Sequence, residues 1–206
     1  MKRALLILVI IVFSFKLYSQ ETEKINNDDY LITINTSYGK IKILLFDDCP
    51  KHKANFLKLA QAGVYNHIIF HRVINNFMIQ SGKYTTRNKP INYSPKIIQS
   101  TIASEVSPKH LHVRGAVGAA RKGVEQNPQK RSSGTQFYII QNCNGAHHLD
   151  GEYTVFGQVV SGMQVVDKIA KLPTTKKDRL IKELRLTVDV AKISKSDIEK
   201  FYFLGF

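Results

Sequence analysis

The chain has 206 residues, of which 43% are hydrophobic and 22% are charged, and these fractions are those of a globular protein rather than a disordered one. Its 30 Lys and Arg residues outnumber the 16 Asp and Glu residues and give a formal net charge of +14, which favours contact with anionic surfaces or acidic proteins. The basic residues are scattered, without an arginine-rich arm or zinc-finger spacing, so we expect no nucleic-acid partner.

The N-terminal residues 1–19 have the pattern of a signal peptide. A positive pair at residues 2–3 precedes an apolar run at residues 4–15, and Ser19 is small enough for the last position before cleavage. The apolar run is shorter than the roughly 20 residues of a membrane-spanning helix. We therefore expect an exported protein, periplasmic or secreted. The alternative is a membrane anchor formed by an uncleaved N-terminal segment, because Leu17 occupies a position where a small residue is commoner.

The elements that follow begin with a β-hairpin and a helix. Residues 20–28 are polar and are predicted to form a linker. Residues 30–35 and 41–46 alternate apolar and polar side chains on either side of a turn, which predicts a hairpin. Pro50 just inside an apolar-periodic segment and Gly63 just past it predict a helix between them.

The remainder of the chain reads as short strands with one more helix. Short β-branched and aromatic runs at residues 68–80, 115–120, 135–140 and 154–160 predict strands, and so does a closing run at residues 184–190. A second helix is predicted at residues 163–170. The fold class is therefore mainly β, and we expect a closed antiparallel β-barrel of about eight strands capped by two helices. This domain would occupy residues 29–192, followed by a C-terminal tail at residues 193–206.

The two cysteines do not indicate a disulfide framework. Cys49 and Cys143 are far apart in sequence, and we expect both to be free thiols. Cys143, His147 and His148 lack the spacing of zinc ligands, so neither a metal nor a cofactor is expected.

Three motifs point to a family. They are FHRVINNFMIQSG at residues 70–82, SGTQFYI at residues 133–139 and HLDGEYTVFG at residues 148–157. In this order and approximate spacing they closely resemble the cyclophilin family of peptidyl-prolyl cis-trans isomerases, in its bacterial exported type. The resemblance covers about residues 30–190. It implies a monomeric isomerase without a cofactor that acts on proline-containing peptides and unfolded exported proteins.

The residue types in these motifs suit that chemistry. An X–Pro bond has a rotational barrier of about 20 kcal/mol, because amide resonance is lost when the bond twists. A catalyst needs an apolar pocket for the ring and a donor aimed at the prolyl nitrogen, but neither a nucleophile nor a metal. Arg72 is the expected donor, since a guanidinium stays charged and presents a rigid fork of N–H groups. It would stabilise the twisted state more than the planar one.

Strand alternation sorts the neighbours of Arg72. Met78 and Gln80 share one face of their strand, and Gln136 and Tyr138 share one face of another. By the resemblance, these faces form the peptide groove, and Gln80 holds Arg72 in position. The resemblance further implies a substrate-binding set made of the proline pocket and the residues along the peptide chain: Phe77, Met78, Tyr138, Leu149 and Tyr153 in the pocket, and Gln136 with Ala120 and Arg121 along the chain.

Three departures from the family pattern fall in this site. His148 stands where cyclosporin-sensitive members have tryptophan, so weak cyclosporin binding is expected. Tyr153 replaces a histidine found in many members. Tyr138 replaces a phenylalanine at the pocket floor, so the pocket gains a hydroxyl.

Two other functions remain as alternatives. The first is a non-catalytic module of the same fold that binds proline peptides. The retention of four residues argues against it: Arg72, Phe77, Gln80 and Gln136. The second is a basic exported protein that binds an anionic polymer or lipid. Salt-sensitive retention on such a surface, without isomerase activity, would indicate this second alternative.

Overall fold

The computed structural model of the protein describes residues 28–90, 93–94, 100–194 and 196–198. The predicted signal peptide, residues 20–27 of the predicted linker and most of the predicted tail lie outside the described residues. The chain divides into two units, one of residues 30–192 and the other of residues 1–29 with 193–206. Within the described residues, no helix is long and apolar enough to cross a membrane.

The unit of residues 30–192 is built mainly from short strands. Eleven strands are described, with the following bounds: β1 Asp28–Thr36, β2 Gly39–Leu45, β3 Ile68–Ile69, β4 Arg72–Ile74, β5 Met78–Ser81, β6 Thr101–Ile102, β7 Ala116–Ala119, β8 Ser132–Ser133, β9 Phe137–Ile140, β10 Val155–Ser161 and β11 Arg185–Ser194. Nine of them form one antiparallel sheet in the order β3-β11-β1-β2-β10-β7-β9-β5-β4, and β6 pairs with β8 separately. The predicted hairpin is β1 with β2, and the predicted closing strand is β11.

The sheet curls into a half-barrel, and the closed barrel of about eight strands expected from the sequence is wrong in that respect. The edge strands β3 and β4 are not neighbours in the hydrogen-bonded order. They are nevertheless consecutive in the chain, separated by Phe70 and His71. The Phe70 N–H donates to the carbonyl of Leu184 beside β11, and the His71 N–H donates to that of Gln80 on β5. The two edges of the sheet are therefore joined by the chain itself, through Phe70 and His71, rather than by hydrogen bonds between β3 and β4. Strand alternation alone does not predict this connection.

Two α-helices flank the sheet where the sequence predicts them, α1 at Pro50–Gln61 and α2 at Met163–Ala170. The first backbone N–H groups of α1 have a distant partner. The N–H groups of Lys51 and His52 donate to the two carboxylate oxygens of Glu105, each at 2.9 Å. A carboxylate at a helix N-terminus satisfies donors that the helix itself leaves free. This contact fixes α1 to the loop that leads into β7.

Strand alternation divides the apolar residues of β5 and β9 between two clusters. Ile79, Phe137 and Ile139 belong to the main core between the curled sheet and the helices. Met78 and Tyr138, on the opposite face, belong to a second cluster. The division confirms the alternation predicted from the sequence, and it gives the second face its own apolar surface.

Candidate active site

The candidate active site lies on the face of the sheet that carries the second apolar cluster. In the strand register, Gln80 of β5 lies opposite Arg72 of β4 on one side and opposite Tyr138 of β9 on the other. A short 3-10 helix, His147–Leu149, carries the next motif to the same face. The three motifs that are separate in sequence thus meet in one region.

The predicted proline-pocket residues come together as an apolar cluster. Met78 and Tyr138 are buried, while Phe77, Leu149 and Tyr153 are partly buried and pack against them. The rings of Tyr138 and Tyr153 meet edge to face with centroids 6.3 Å apart, a favoured geometry for aromatic pairs. The cluster presents an apolar surface of the kind that a proline ring requires.

Arg72 has a partner that the sequence did not predict. Its Nε donates to Oδ2 of Asp178 at 3.3 Å, with the Arg72 side chain 45% exposed and that of Asp178 42% exposed. Asp178 also accepts a backbone hydrogen bond from the N–H of Val73, the residue next to Arg72. The loop before β11 therefore holds both the side chain and the strand of Arg72.

Gln80 is hydrogen-bonded to Gln136, whereas the resemblance implied that it would hold Arg72. Its Nε2 donates to Oε1 of Gln136 at 3.4 Å, at the long end of the hydrogen-bond range. Ala120 lies beside this pair, but both of its backbone groups have partners within the protein. Its N–H donates to the Gln136 carbonyl at 3.0 Å, and its carbonyl accepts from Ser133 at 2.7 Å. The structure thus places Ala120 at the groove as part of its wall.

The Arg121 side chain anchors the far end of the pocket. Its guanidinium lies 4.3 Å from the centre of the Tyr153 ring and donates to the Glu152 carboxylate at 3.0 Å. The side chain is only 5% exposed. Stacking of a guanidinium on an aromatic face is favourable, so Arg121 fixes the position of Tyr153.

A cationic groove adjoins the polar side of the pocket. The groove has a volume of about 630 Å³ and is lined by Gln80, Gln136 and Ala120 together with Lys83, Lys122 and Arg131. The described residues that line it include no carboxylate. An extended peptide leaving the proline pocket on this side would meet a positive surface.

Sequence reasoning missed His112 and Asp150. His112 is fully buried, and its Nε2 lies 2.8 Å from the Tyr138 hydroxyl. Its Nδ1 lies 2.7 Å from Oδ1 of Asp150. Asp150 stands in the third motif next to Leu149, but nothing in the sequence links it to a histidine 38 residues earlier.

Burial and hydrogen bonding perturb the ionisation of this group. Burial lowers the pKa of His112, although the bond to Asp150 acts in the opposite sense. Burial disfavours the charged form of Asp150, but hydrogen bonds from the His112 N–H and from the rings of His147 and His112 lower its pKa overall. Burial raises the pKa of Tyr138. At neutral pH, therefore, Asp150 is ionised while His112 and Tyr138 are neutral.

The two cysteines take no part in this site. Cys49 is buried, Cys143 is exposed, and the two are not bonded to each other, as the sequence favoured. Within the described residues, no group of three or more His, Cys, Asp or Glu side chains is placed to hold a metal ion.

Comparison with known proteins decides the family. Residues 31–190 match the model of the family described as cyclophilin type peptidyl-prolyl cis-trans isomerase/CLD. The chain belongs to the cyclophilin family. The family model and the relatives identify the chain as a peptidyl-prolyl cis-trans isomerase, as the motifs predict.

Other cyclophilins align over most of the chain. A peptidyl-prolyl cis-trans isomerase of Acinetobacter baylyi is 38% identical over 149 residues, which are 70% of this chain and 74% of that protein. The human peptidyl-prolyl cis-trans isomerase-like 3 is also 38% identical, over 71% of this chain and 85% of its own. The alignment with the Rhizopus delemar isomerase-like 2 protein, at 39% identity, spans 80% of this chain but only 29% of that longer protein.

The fold is also that of solved cyclophilins. A crystal structure of a Cryptosporidium parvum cyclophilin type isomerase superposes with a TM-score of 0.66 at 30% identity, covering 81% of this chain and 98% of that one. A second structure of that protein, in the presence of the dipeptide Ala-Pro, gives the same TM-score.

Proposed function

We propose that this cyclophilin accelerates cis-trans isomerisation of X–Pro bonds in exported proteins, with Arg72 stabilising the twisted amide. The observation that carries the proposal is the half-exposed guanidinium of Arg72 on the strand beside a preformed apolar pocket. The pocket binds the proline ring, and the guanidinium supplies the positive charge that stabilises the twisted amide. Neither a covalent intermediate nor a metal ion is needed for a rotation about one bond.

The pocket binds the ring in every state of the reaction. Phe77, Met78 and Leu149 offer apolar contact, which does not depend on whether the prolyl amide is planar or twisted. Such uniform binding lowers KM without raising kcat. The acceleration must therefore come from a group that interacts more strongly with the twisted state.

Arg72 has the properties of that group. When the amide twists, the prolyl nitrogen becomes pyramidal and gains a localised lone pair that can accept a hydrogen bond. A guanidinium has five N–H donors, and the ion pair with Asp178 engages Nε. Because Asp178 holds the Nε atom of Arg72, the two terminal amino groups of the guanidinium are preorganised to approach the prolyl nitrogen.

The two glutamines suit the binding of the peptide chain. The hydrogen bond between Gln80 and Gln136 is 3.4 Å long, so exchanging it for a bond to substrate costs little. We assign Gln136 and the Arg121 backbone to the chain that flanks proline. Gln80 then orients Gln136, and Asp178 takes the orienting role that the sequence had assigned to Gln80.

The signal-peptide pattern at residues 1–19 supports a role outside the cytoplasm. Unfolded exported proteins that contain X–Pro bonds would be the substrates, since their uncatalysed isomerisation takes tens to hundreds of seconds. We expect the enzyme to act on them as a monomer, with no cofactor.

The test is an isomerisation assay on proline tetrapeptides with wild type, Arg72→Ala, Arg72→Lys and Lys40→Ala. Arg72→Ala should lower kcat/KM about 10²- to 10³-fold, the range for one preorganised donor, with little change in peptide affinity. Arg72→Lys should recover only part of the loss, because an ammonium lacks the planar fork. Lys40→Ala removes the same charge from an exposed position on β2 and should leave the rate unchanged.

Two results would count against the proposal. A near-normal rate in folded Arg72→Ala would mean that the pocket alone carries the reaction. A wild type that binds proline peptides without accelerating isomerisation would favour the non-catalytic binding module.

A further inference from the structure

The Tyr138 hydroxyl at the floor of the pocket belongs to a chain of hydrogen bonds that begins at the fully buried His112 and ends at the partly exposed Asp150. Tyr138 on β9 is bonded to His112 in the loop before β7, and His112 is bonded to Asp150 behind the 3-10 helix. Asp150 Oδ1 also accepts from the backbone N–H of His112 at 2.7 Å, and its Oδ2 is 2.8 Å from Nδ1 of His147. Three segments that are distant in sequence are thereby tied together behind the pocket.

The ionisation states of Asp150 and His112 determine where the protons of these hydrogen bonds lie. An ionised Asp150 accepts only, so Nδ1 of His112 carries the ring proton and Nε2 does not. Nε2 therefore accepts, and the Tyr138 hydroxyl donates to it. The other titratable groups that face these residues are His147 and His148 on the 3-10 helix and, on the side of Tyr138, Arg121 and Tyr153.

The Tyr138 ring reaches His112 only because a glycine lies opposite. Gly118 of β7 is paired with Tyr138 across the strands. A Cβ added at Gly118 would lie 2.3 Å from Cζ of the tyrosine ring, well inside van der Waals contact. The ring therefore lies across the backbone of β7, and its hydroxyl extends beyond that strand to the buried imidazole.

We propose that His112 and Asp150 are positioning residues of the proline pocket, an inference that rests on the proposed isomerase function. His112 fixes the Tyr138 ring that forms the floor. Asp150 fixes His112 and, through the adjacent peptide, the Leu149 side chain that forms a wall. Floor and wall are thus held by one hydrogen-bond network, and neither residue touches the substrate.

This role predicts effects on substrate binding rather than on the chemical step. When Tyr138 and Leu149 are less well ordered, the pocket binds the proline ring less tightly, and to the same extent in the planar and the twisted amide. Such a change raises KM and leaves kcat nearly unchanged. It also predicts coupling between the partners. Once Tyr138→Phe has removed the hydroxyl, the Nε2 side of His112 has no bond left to lose.

The experiment is a double-mutant cycle on the purified protein, with kcat and KM measured on a proline tetrapeptide. His112→Asn keeps an amide near the position of Nδ1, and with it the bond to Asp150, but loses the contact to Tyr138. His112→Asn and Tyr138→Phe should each raise KM about 5- to 10-fold, the effect of one buried hydrogen bond, with kcat changed less than about 2-fold. The KM of the double variant should exceed the higher of the two single-variant KM values by no more than about 2-fold.

The control is His67→Asn, the same substitution at a residue with φ of +65°, where asparagine is well tolerated. Its kinetic constants should match those of wild type. Additive effects in the cycle, or a loss that falls on kcat, would overturn the positioning role. An inactive wild type would refute the isomerase function itself, and this inference would fall with it.

A spectroscopic measurement on the wild type covers the case in which His112→Asn does not fold. Nitrogen-15 NMR of the histidine rings should show His112 with its proton on Nδ1 at neutral pH, and Tyr138→Phe should shift its Nε2 resonance. A ring proton on Nε2 would contradict the assigned direction of the hydrogen bonds and with it the network that positions Tyr138.

Discussion

Replacing Asp178 by asparagine tests how far Arg72 depends on being held in place. Asp178 has φ of +58°, a region that asparagine also tolerates, and its backbone bond to Val73 does not involve the side chain. Asp178→Asn therefore removes the charge and leaves the loop intact. Any change in rate then reports on the ion pair with Arg72.

The structure sets the expected magnitude. Both side chains are more than 40% exposed and the closest N–O distance is 3.3 Å, so the pair belongs among the exposed ion pairs worth about 0.2–1 kcal/mol. One kcal/mol corresponds to about a 5-fold change in rate. We expect Asp178→Asn to lower kcat by about 2- to 5-fold, far less than the effect of removing Arg72 itself, with KM unchanged.

The assay is the tetrapeptide isomerisation at low and high salt. Because exposed charges are screened, the difference between wild type and Asp178→Asn should shrink as salt rises. In the Arg72→Ala background, Asp178→Asn should have no further effect. A loss of about 10²-fold, or a loss that persists without Arg72, would show that Asp178 acts on the reaction by another route.

Three further predictions concern processing, inhibition and stability. The exported protein should begin near Gln20, as N-terminal sequencing or intact mass would show, and a membrane-bound form that retains residues 1–19 would indicate an anchor instead. Cyclosporin should inhibit weakly, and His148→Trp should strengthen inhibition because an indole adds apolar contact area beside Phe77; equal inhibition of both forms would contradict this. The free energy of unfolding should fall as pH decreases from about 6.5 towards 4, because burial lowers the pKa of His71 to about 4 and the unfolded chain takes up its proton first. Urea unfolding at several pH values should show a shallower dependence in His71→Gln, and an identical dependence would exclude His71 as a source.

Much of the fold and of the pocket follows from local sequence pattern. The hairpin, both helices and the closing strand were predictable because alternation, helical spacing, Pro50 and Gly63 are signals within a few residues of the element they mark. Alternation predicted that Met78 and Tyr138 lie on the faces opposite Ile79 and Phe137, which belong to the core, and the family resemblance implied that the faces of Met78 and Tyr138 form the peptide groove. These contacts follow once the strands are assigned.

The partners that orient the site were not predictable in the same way. Asp178 lies 106 residues from Arg72, and Glu105 lies 54 residues from the helix backbone that it caps. Contacts of this kind depend on where loops lie after the sheet has curled, and no local periodicity encodes them. The same reason explains the open edge of the barrel, because alternation specifies faces and not the pairing of the outer strands.

Tyr138 shows how such a partner changes the meaning of a substitution. From the sequence alone, tyrosine in place of phenylalanine adds a hydroxyl to an apolar pocket, and an unpaired hydroxyl there would cost about 1–3 kcal/mol. In the structure the hydroxyl is bonded to His112, which is itself fully buried. The hydroxyl therefore has a partner within the protein, and we expect the Tyr138 ring to offer the proline ring apolar contact as a phenylalanine would. The hydroxyl is bonded to His112, and His112 is bonded in turn to Asp150, the residue next to Leu149.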